Sequence, residues 1–130
     1  MKTETVNYQA KDVDLEGYVA FPEAANAPLI LIAHTWAGKD EFVHQKAEDL
    51  AALGYVGFAV DMYGNGKVGS DTAENESLMT PLVSDRDMLK DRIVSALNYG
   101  KNLSGVDPDR TAAIGYCFGG LVVLDLARSG

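Results

Sequence analysis

The hydrophobic positions of this chain follow two different periods. Glu4–Tyr8 and Asp14–Phe21 mix polar and apolar residues, as half-exposed antiparallel strands do. Leu29–Ala33 is continuously apolar and follows Pro28, and Tyr55–Val60 and Thr111–Tyr116 are similar short runs. Continuous apolar strands suit a parallel sheet covered by helices on both faces. Between them the period lengthens. Glu41–Leu53 spaces Phe42, Ala47, Leu50, Ala51 and Leu53 as a helix, with Gly54 a natural stop. Arg86–Leu103 puts Leu89, Ile93, Ala96, Leu97 and Gly100 on one face, and Ser84 with Asp87 is its candidate cap. Asp107-Pro108-Asp109 is a turn into the last strand, and Phe118 onward is a closing helix. Met62–Pro81 shows no clear period and reads as one long loop. A hairpin followed by β-α-β-loop-α-β-α predicts an α/β fold, with a mostly parallel sheet, an N-terminal antiparallel hairpin and flanking helices.

The strongest chemical signal is Gly115-Tyr116-Cys117-Phe118-Gly119, which fits Gly-x-nucleophile-x-Gly between a strand and a helix. Such a turn is sharp, so Gly115 and Gly119 remove side chains that would block it. The helix that starts there turns its free N–H groups and positive dipole end toward the sulfur, which favours a charged nucleophile. The N–H of Phe118 is a natural oxyanion donor. The plainer reading is a small, inert cysteine in a glycine-rich turn. Directly after the most apolar strand, Ala33-His34-Thr35-Trp36-Ala37-Gly38 occupies the place from which a second oxyanion N–H, of Thr35 or Trp36, is expected. The alternative is an ordinary loop whose Trp36 covers the edge of the core.

His34 and His44 precede the nucleophile, whereas hydrolases of this design place the acid and the histidine after it. His34 therefore reads as a loop-packing residue and His44 as a solvent-side one. After Cys117 the chain carries Asp125 but no histidine, and Asp125, two turns along the same helix, is assigned to structure. Gly64-Asn65-Gly66-Lys67-Val68-Gly69 matches Gly-x-Gly-x-x-Gly, but Ser70–Ser77 is polar and irregular, so the helix a dinucleotide site requires is not expected. Two glycosylation sequons, at Asn75 and Asn102, read as chance matches.

Composition narrows the classes further. The 130 residues argue for one domain over 1–130, and 19 acids against 11 bases leave a net charge of −8. That charge repels phosphate backbones and anionic lipid, so neither nucleic acid nor a membrane is the expected partner. One cysteine allows no internal disulfide and no cysteine-rich zinc site. Without a signal-peptide pattern or a long apolar run, a soluble cytoplasmic protein is expected.

Taken together, Gly115–Gly120, the Pro28–Gly38 strand and loop, Gly54-Tyr55 and Asp61-Met62-Tyr63-Gly64 resemble the dienelactone hydrolase family, in family order from about Asp14 onward. This family is a branch of the α/β-hydrolase fold with a cysteine nucleophile. The resemblance implies that Cys117 attacks an ester or lactone carbonyl to give an acyl-thioester. It implies that the N–H groups of Trp36 and Phe118 hold the oxyanion, that His34, Thr35 and Tyr116 lie about the substrate pocket, and that no metal or cofactor takes part. Family members often carry a glutamate where this chain has Thr35, and a substrate-binding arginine has no match between Gly69 and Pro81. The family also runs on through further strands that deliver the triad aspartate and histidine. The chain thus reads as the N-terminal part of the fold, truncated after the nucleophile helix. Thr111–Tyr116 is then an exposed sheet edge, open to a second chain or copy. The competing readings are a non-catalytic α/β module that acts by association, and a flavodoxin-like nucleotide-binding domain.

Overall fold

A computed structural model describes residues 1–130. Its strands are β1 (Lys2–Ala10), β2 (Val13–Phe21), β3 (Ala27–Ala33), β4 (Val56–Ala59) and β5 (Val106–Gly115). Its helices are α1 (Glu41–Ala52), α2 (Thr72–Ser84), α3 (Arg86–Lys101) and α4 (Phe118–Arg128). The five strands form one sheet in the order β1-β2-β4-β3-β5. β4, β3 and β5 are mutually parallel, and the β1–β2 hairpin joins them antiparallel through β2. The α/β class and the N-terminal hairpin are therefore as expected.

Alternation along the parallel strands fills both faces of the sheet. Leu29, Leu31 and Ala33 of β3 face the larger core with Phe58, Leu89, Ile93, Ala96 and Val122, under α3 and α4. Ile32 points the other way, to Val43, Ala47 and Ala51 of α1. The buried face of α1 is thus Val43-Ala47-Ala51, whereas Phe42 and Leu53, expected on it, are exposed. Small residues there let helix and sheet meet at backbone distance: a Cβ on Gly57 would stand 2.5 Å from the Ala47 carbonyl oxygen. α1 ends as expected at Gly54, whose φ of +99° forms a Schellman closure. The Tyr55 N–H reaches the Leu50 carbonyl and the Gly54 N–H that of Ala51.

Three local expectations need correction. The stretch read as a loop over Met62–Pro81 contains most of α2. That helix buries only Leu82 and so shows no amphipathic period, but Asp71 caps it by accepting from the Glu74 N–H at 2.8 Å, and Glu74 reaches back to the Ser70 N–H. Asp85, not Ser84, caps α3, accepting from the Met88 N–H. Strand β5 begins at Val106, and the expected Asp107–Asp109 turn is an irregularity within it, where Pro28 pairs with Asp107 but Leu29 with Thr111. No helix is long and apolar enough to cross a membrane.

Because the Ala47 backbone occupies the space above Gly57, Gly57→Ala forces α1 off the sheet. A loss of about 1–3 kcal/mol is expected, read as a lower urea midpoint at unchanged slope.

Candidate active site

Strand β5 enters α4 through Tyr116 and Cys117, with no residue to spare for a gradual bend. Cys117 absorbs the turn itself, with φ +54° and ψ −113°, a conformation that costs a non-glycine residue about 1–3 kcal/mol. The flanking glycines serve a different end. Neither has a positive φ, but a Cβ on Gly115 would stand 2.1 Å from the Gly119 carbonyl oxygen. A Cβ on Gly119 would stand 2.2 Å from the Ala33 carbonyl oxygen and 2.7 Å from that of His34. The N-terminus of α4 therefore rests directly on the end of β3, and the Tyr116 N–H bonds the Ala33 carbonyl at 3.3 Å. Cys117 is left as an exposed, free cysteine at the tip.

The loop after β3 begins beside this turn. Thr35 turns its hydroxyl inward to accept from the Ala37 N–H at 3.2 Å, and its carbonyl accepts from Gly38 at 3.1 Å. The Tyr63 hydroxyl donates to the Trp36 carbonyl at 2.6 Å. Neither the N–H of Trp36 nor that of Phe118 has a partner within the chain. Phe118 directly follows the exposed cysteine, and Trp36 lies in the loop that leaves β3.

His34 packs inward behind the turn. Its side chain is fully buried, between Tyr63 at 4.9 Å and Phe118 at 6.0 Å. Nδ1 donates to the Thr35 carbonyl at 2.6 Å and Nε2 accepts from the Met62 N–H at 3.0 Å. With both nitrogens committed, it ties β3 to the segment after β4 and has no lone pair for Cys117. His44 is not solvent-side but half-buried, stacked on Tyr18 at 4.3 Å, with Nε2 3.0 Å from Lys39 Nζ. Thr35 is partly exposed beside the turn, and Tyr116 packs edge-on against Phe42 of α1 at 5.0 Å. Asp125 has the structural role expected, held by both Arg86 and Arg128, and the adjacent Arg86 keeps its carboxyl below the usual range.

Sequence reasoning missed Asp61 as an organiser. Fully buried, it accepts from the N–H groups of Glu16, Tyr63, Gly64 and Gly66 at 2.8 to 3.0 Å. Gly64 and Gly66 take positive φ values of +102° and +69° to wrap this carboxylate. The Gly-x-Gly-x-x-Gly stretch therefore spends two of its amides on Asp61, and Asp71 and Glu74 occupy the start of the next helix. No phosphate cradle is left. Buried Lys39 was missed as well. The signal for Asp61 was an acid directly after an apolar run and ahead of Gly64 and Gly66, whereas Lys39 carried no local signal beyond the preceding Gly38.

The sequence profile described as the dienelactone hydrolase family matches residues 15–130. The chain belongs to this family. A Bradyrhizobium protein named "Probable 2-oxo-3-(5-oxofuran-2-ylidene)propanoate lactonase" is 27% identical over 99% of this chain and 54% of its own length. Among solved structures, one named m3DLH superposes with a TM-score of 0.94 at 31% identity, over 98% of this chain and 54% of its own. A dienelactone hydrolase-like promiscuous phosphotriesterase from metagenomic libraries has the same TM-score at 29% identity, with the same coverage. The chain thus spans about half the length of the family members it matches.

Both histidines have pKa values lowered chiefly by burial. The folded chain therefore binds these protons less readily than the unfolded one. Stability is full above the ordinary histidine value of about 6.5 and falls as pH drops below it, by at most about 1.4 kcal/mol per pH unit for each histidine. Urea unfolding at stepped pH checks this, and stability that stays level or rises on acidification contradicts it.

Proposed function

We propose that the chain carries the nucleophile and the oxyanion site of an ester or lactone hydrolase, with Cys117 as the attacking group. One observation supports this above the others: an exposed cysteine is held in a strained turn, and neither the Phe118 N–H that follows it nor the Trp36 N–H of the adjoining loop has a partner. An inert cysteine has no use for that strain. The sulfur attacks the acyl carbon, the carbonyl electrons move onto oxygen, and the N–H groups of Trp36 and Phe118 stabilise the charge. Collapse expels the alkoxide, which takes up a proton and in a lactone stays tethered to the acyl group. Water then cleaves the thioester to release the acid and regenerate the thiol. The step draws on no metal and no cofactor, and the substrate is a small molecule.

A base must take the thiol proton and later activate the water. Neither histidine of this chain is free to do so, since His34 is bonded at both nitrogens and His44 lies against Lys39. The triad aspartate and histidine are assigned to polypeptide of the kind that makes up the other half of the relatives. Its docking place is the open edge of β5, where Thr111, Ala112 and Ile114 are exposed, next to an apolar groove of about 580 Å³ between α3 and α4. An unpaired edge of this kind is a template for another strand.

Acylation by p-nitrophenyl acetate tests the nucleophile. A burst of one nitrophenol per chain is expected, abolished in Cys117→Ala, with turnover slow until a base is supplied. Release that persists at the same amplitude without the thiol refutes the assignment. The edge has its own check in size-exclusion chromatography. Lacking its partner strand, the isolated chain is expected to migrate above its 13.9 kDa mass, and Ile114→Lys, which sets a charge beside the edge, to return it to the monomer. A strictly monomeric unmodified chain contradicts the edge assignment.

A further inference from the structure

The loop that carries Trp36 ends in a buried base that the proposed reaction does not use. The Lys39 side chain is 5% exposed, although lysine is almost never sealed from water without a partner. Its contacts come from two different elements. His44 of α1 presents Nε2 at 3.0 Å, and Glu16 of β2 presents a carboxylate oxygen at 3.8 Å. An ammonium has only donors, so the 3.0 Å contact requires that His44 Nε2 carry a lone pair and not a proton.

We propose that Lys39 is the positioning residue of the Thr35–Asp40 loop, and that unprotonated His44 is the acceptor that holds it there. Proton uptake by His44 then releases the loop end and shifts Trp36. Several contacts tie the loop down, among them the Thr35 carbonyl to His34 Nδ1 and Lys39 to Glu16. The Trp36 carbonyl is held by the Tyr63 hydroxyl, the Ala37 carbonyl by the Gly69 N–H, and Lys39 by His44. Of these, the Lys39–His44 contact is the one that proton uptake removes, since His34 donates to Thr35 through an Nδ1–H that protonation leaves in place. Once His44 is an imidazolium, Nε2–H faces the ammonium, the bond is lost, and two like charges meet in a site nearly closed to water.

The charged and titratable groups that face His44 come from each element around it. Glu41 of α1 lies 3.6 Å from Nδ1 but is 96% exposed, so its pull is screened. Asp40 stands at the N-cap position of the same helix without a side-chain capping bond, and the Tyr18 ring of β2 covers the imidazole while its hydroxyl donates to Glu48 at 2.8 Å. Burial and the neighbouring Lys39 outweigh these acids and hold His44 below the ordinary histidine value. The released state is therefore entered only on acidification.

Trp36 is the single tryptophan, three residues from Lys39 and packed against the core, so its emission reports this loop directly. The catalytic consequence, a fall in Cys117 acylation over the same transition, rests on the proposed function; the fluorescence does not. Between about pH 5 and 8, selective excitation of Trp36 is expected to show one transition with its midpoint below about 6.5. His44→Gln keeps an acceptor that does not titrate, and the transition is lost. Lys39→Met also removes it, while Lys39→Arg, which keeps the donor, retains it. Far-UV circular dichroism confirms that each variant is folded. Emission of the unmodified protein that is independent of pH, or a transition that survives either His44→Gln or Lys39→Met, overturns the proposal.

Discussion

The start of α4 lies against the end of β3 with no side chain between them. Gly119 approaches the carbonyls of Ala33 and His34, and Gly115 approaches the Gly119 carbonyl, so closely that a single methyl group at either place would part them. Because the helix must begin there, the residue between strand and helix has no extended conformation open to it, and Cys117 takes the strained one. The same contact brings the first amide of α4 beside the loop that leaves β3. The strain at Cys117 and the exposure of its sulfur both descend from this one backbone approach.

Buried polar groups then define what surrounds that contact. Asp61 and His34 are sealed from water, and each is satisfied by backbone, four N–H groups in one case and an N–H with a carbonyl in the other. A buried polar group that is fully bonded fixes geometry and is spent for chemistry. This is why a histidine next to the nucleophile turn is no base, and why a glycine-rich stretch after a strand is no phosphate loop. The Lys39–His44 contact differs, since it is satisfied in only one protonation state.

The half of the relatives' length that this chain spans holds the strained turn at Cys117 and the unpartnered N–H groups of Trp36 and Phe118. In our reading, proton transfer comes from elsewhere and docks along β5. A nucleophile separated from its base is inactive or slow without being unfolded, because the two halves rest on different physics. Packing of glycine against carbonyl creates one, and a mobile proton with its acceptor creates the other.

Much of this was legible in the chain itself. Apolar runs marked the inner strands, Gly54 the end of α1, and the Gly-x-Cys-x-Gly spacing the turn, because each depends on residues close together in sequence. α2 was not legible as a helix, since it buries one residue and therefore leaves no period; its cap at Asp71 and Glu74 was the only local sign. His34, His44, Lys39 and Asp61 were chemically ambiguous for another reason. A side chain's proton, burial and partners are set by groups far along the chain, as between Asp61 and the Glu16 N–H or between His34 and Phe118. Sequence by itself determined the strands, the helices with an apolar period and the place of the Gly-x-Cys-x-Gly turn. Only the tertiary structure decided which polar groups were free to react, because that depends on what remains unpaired after folding.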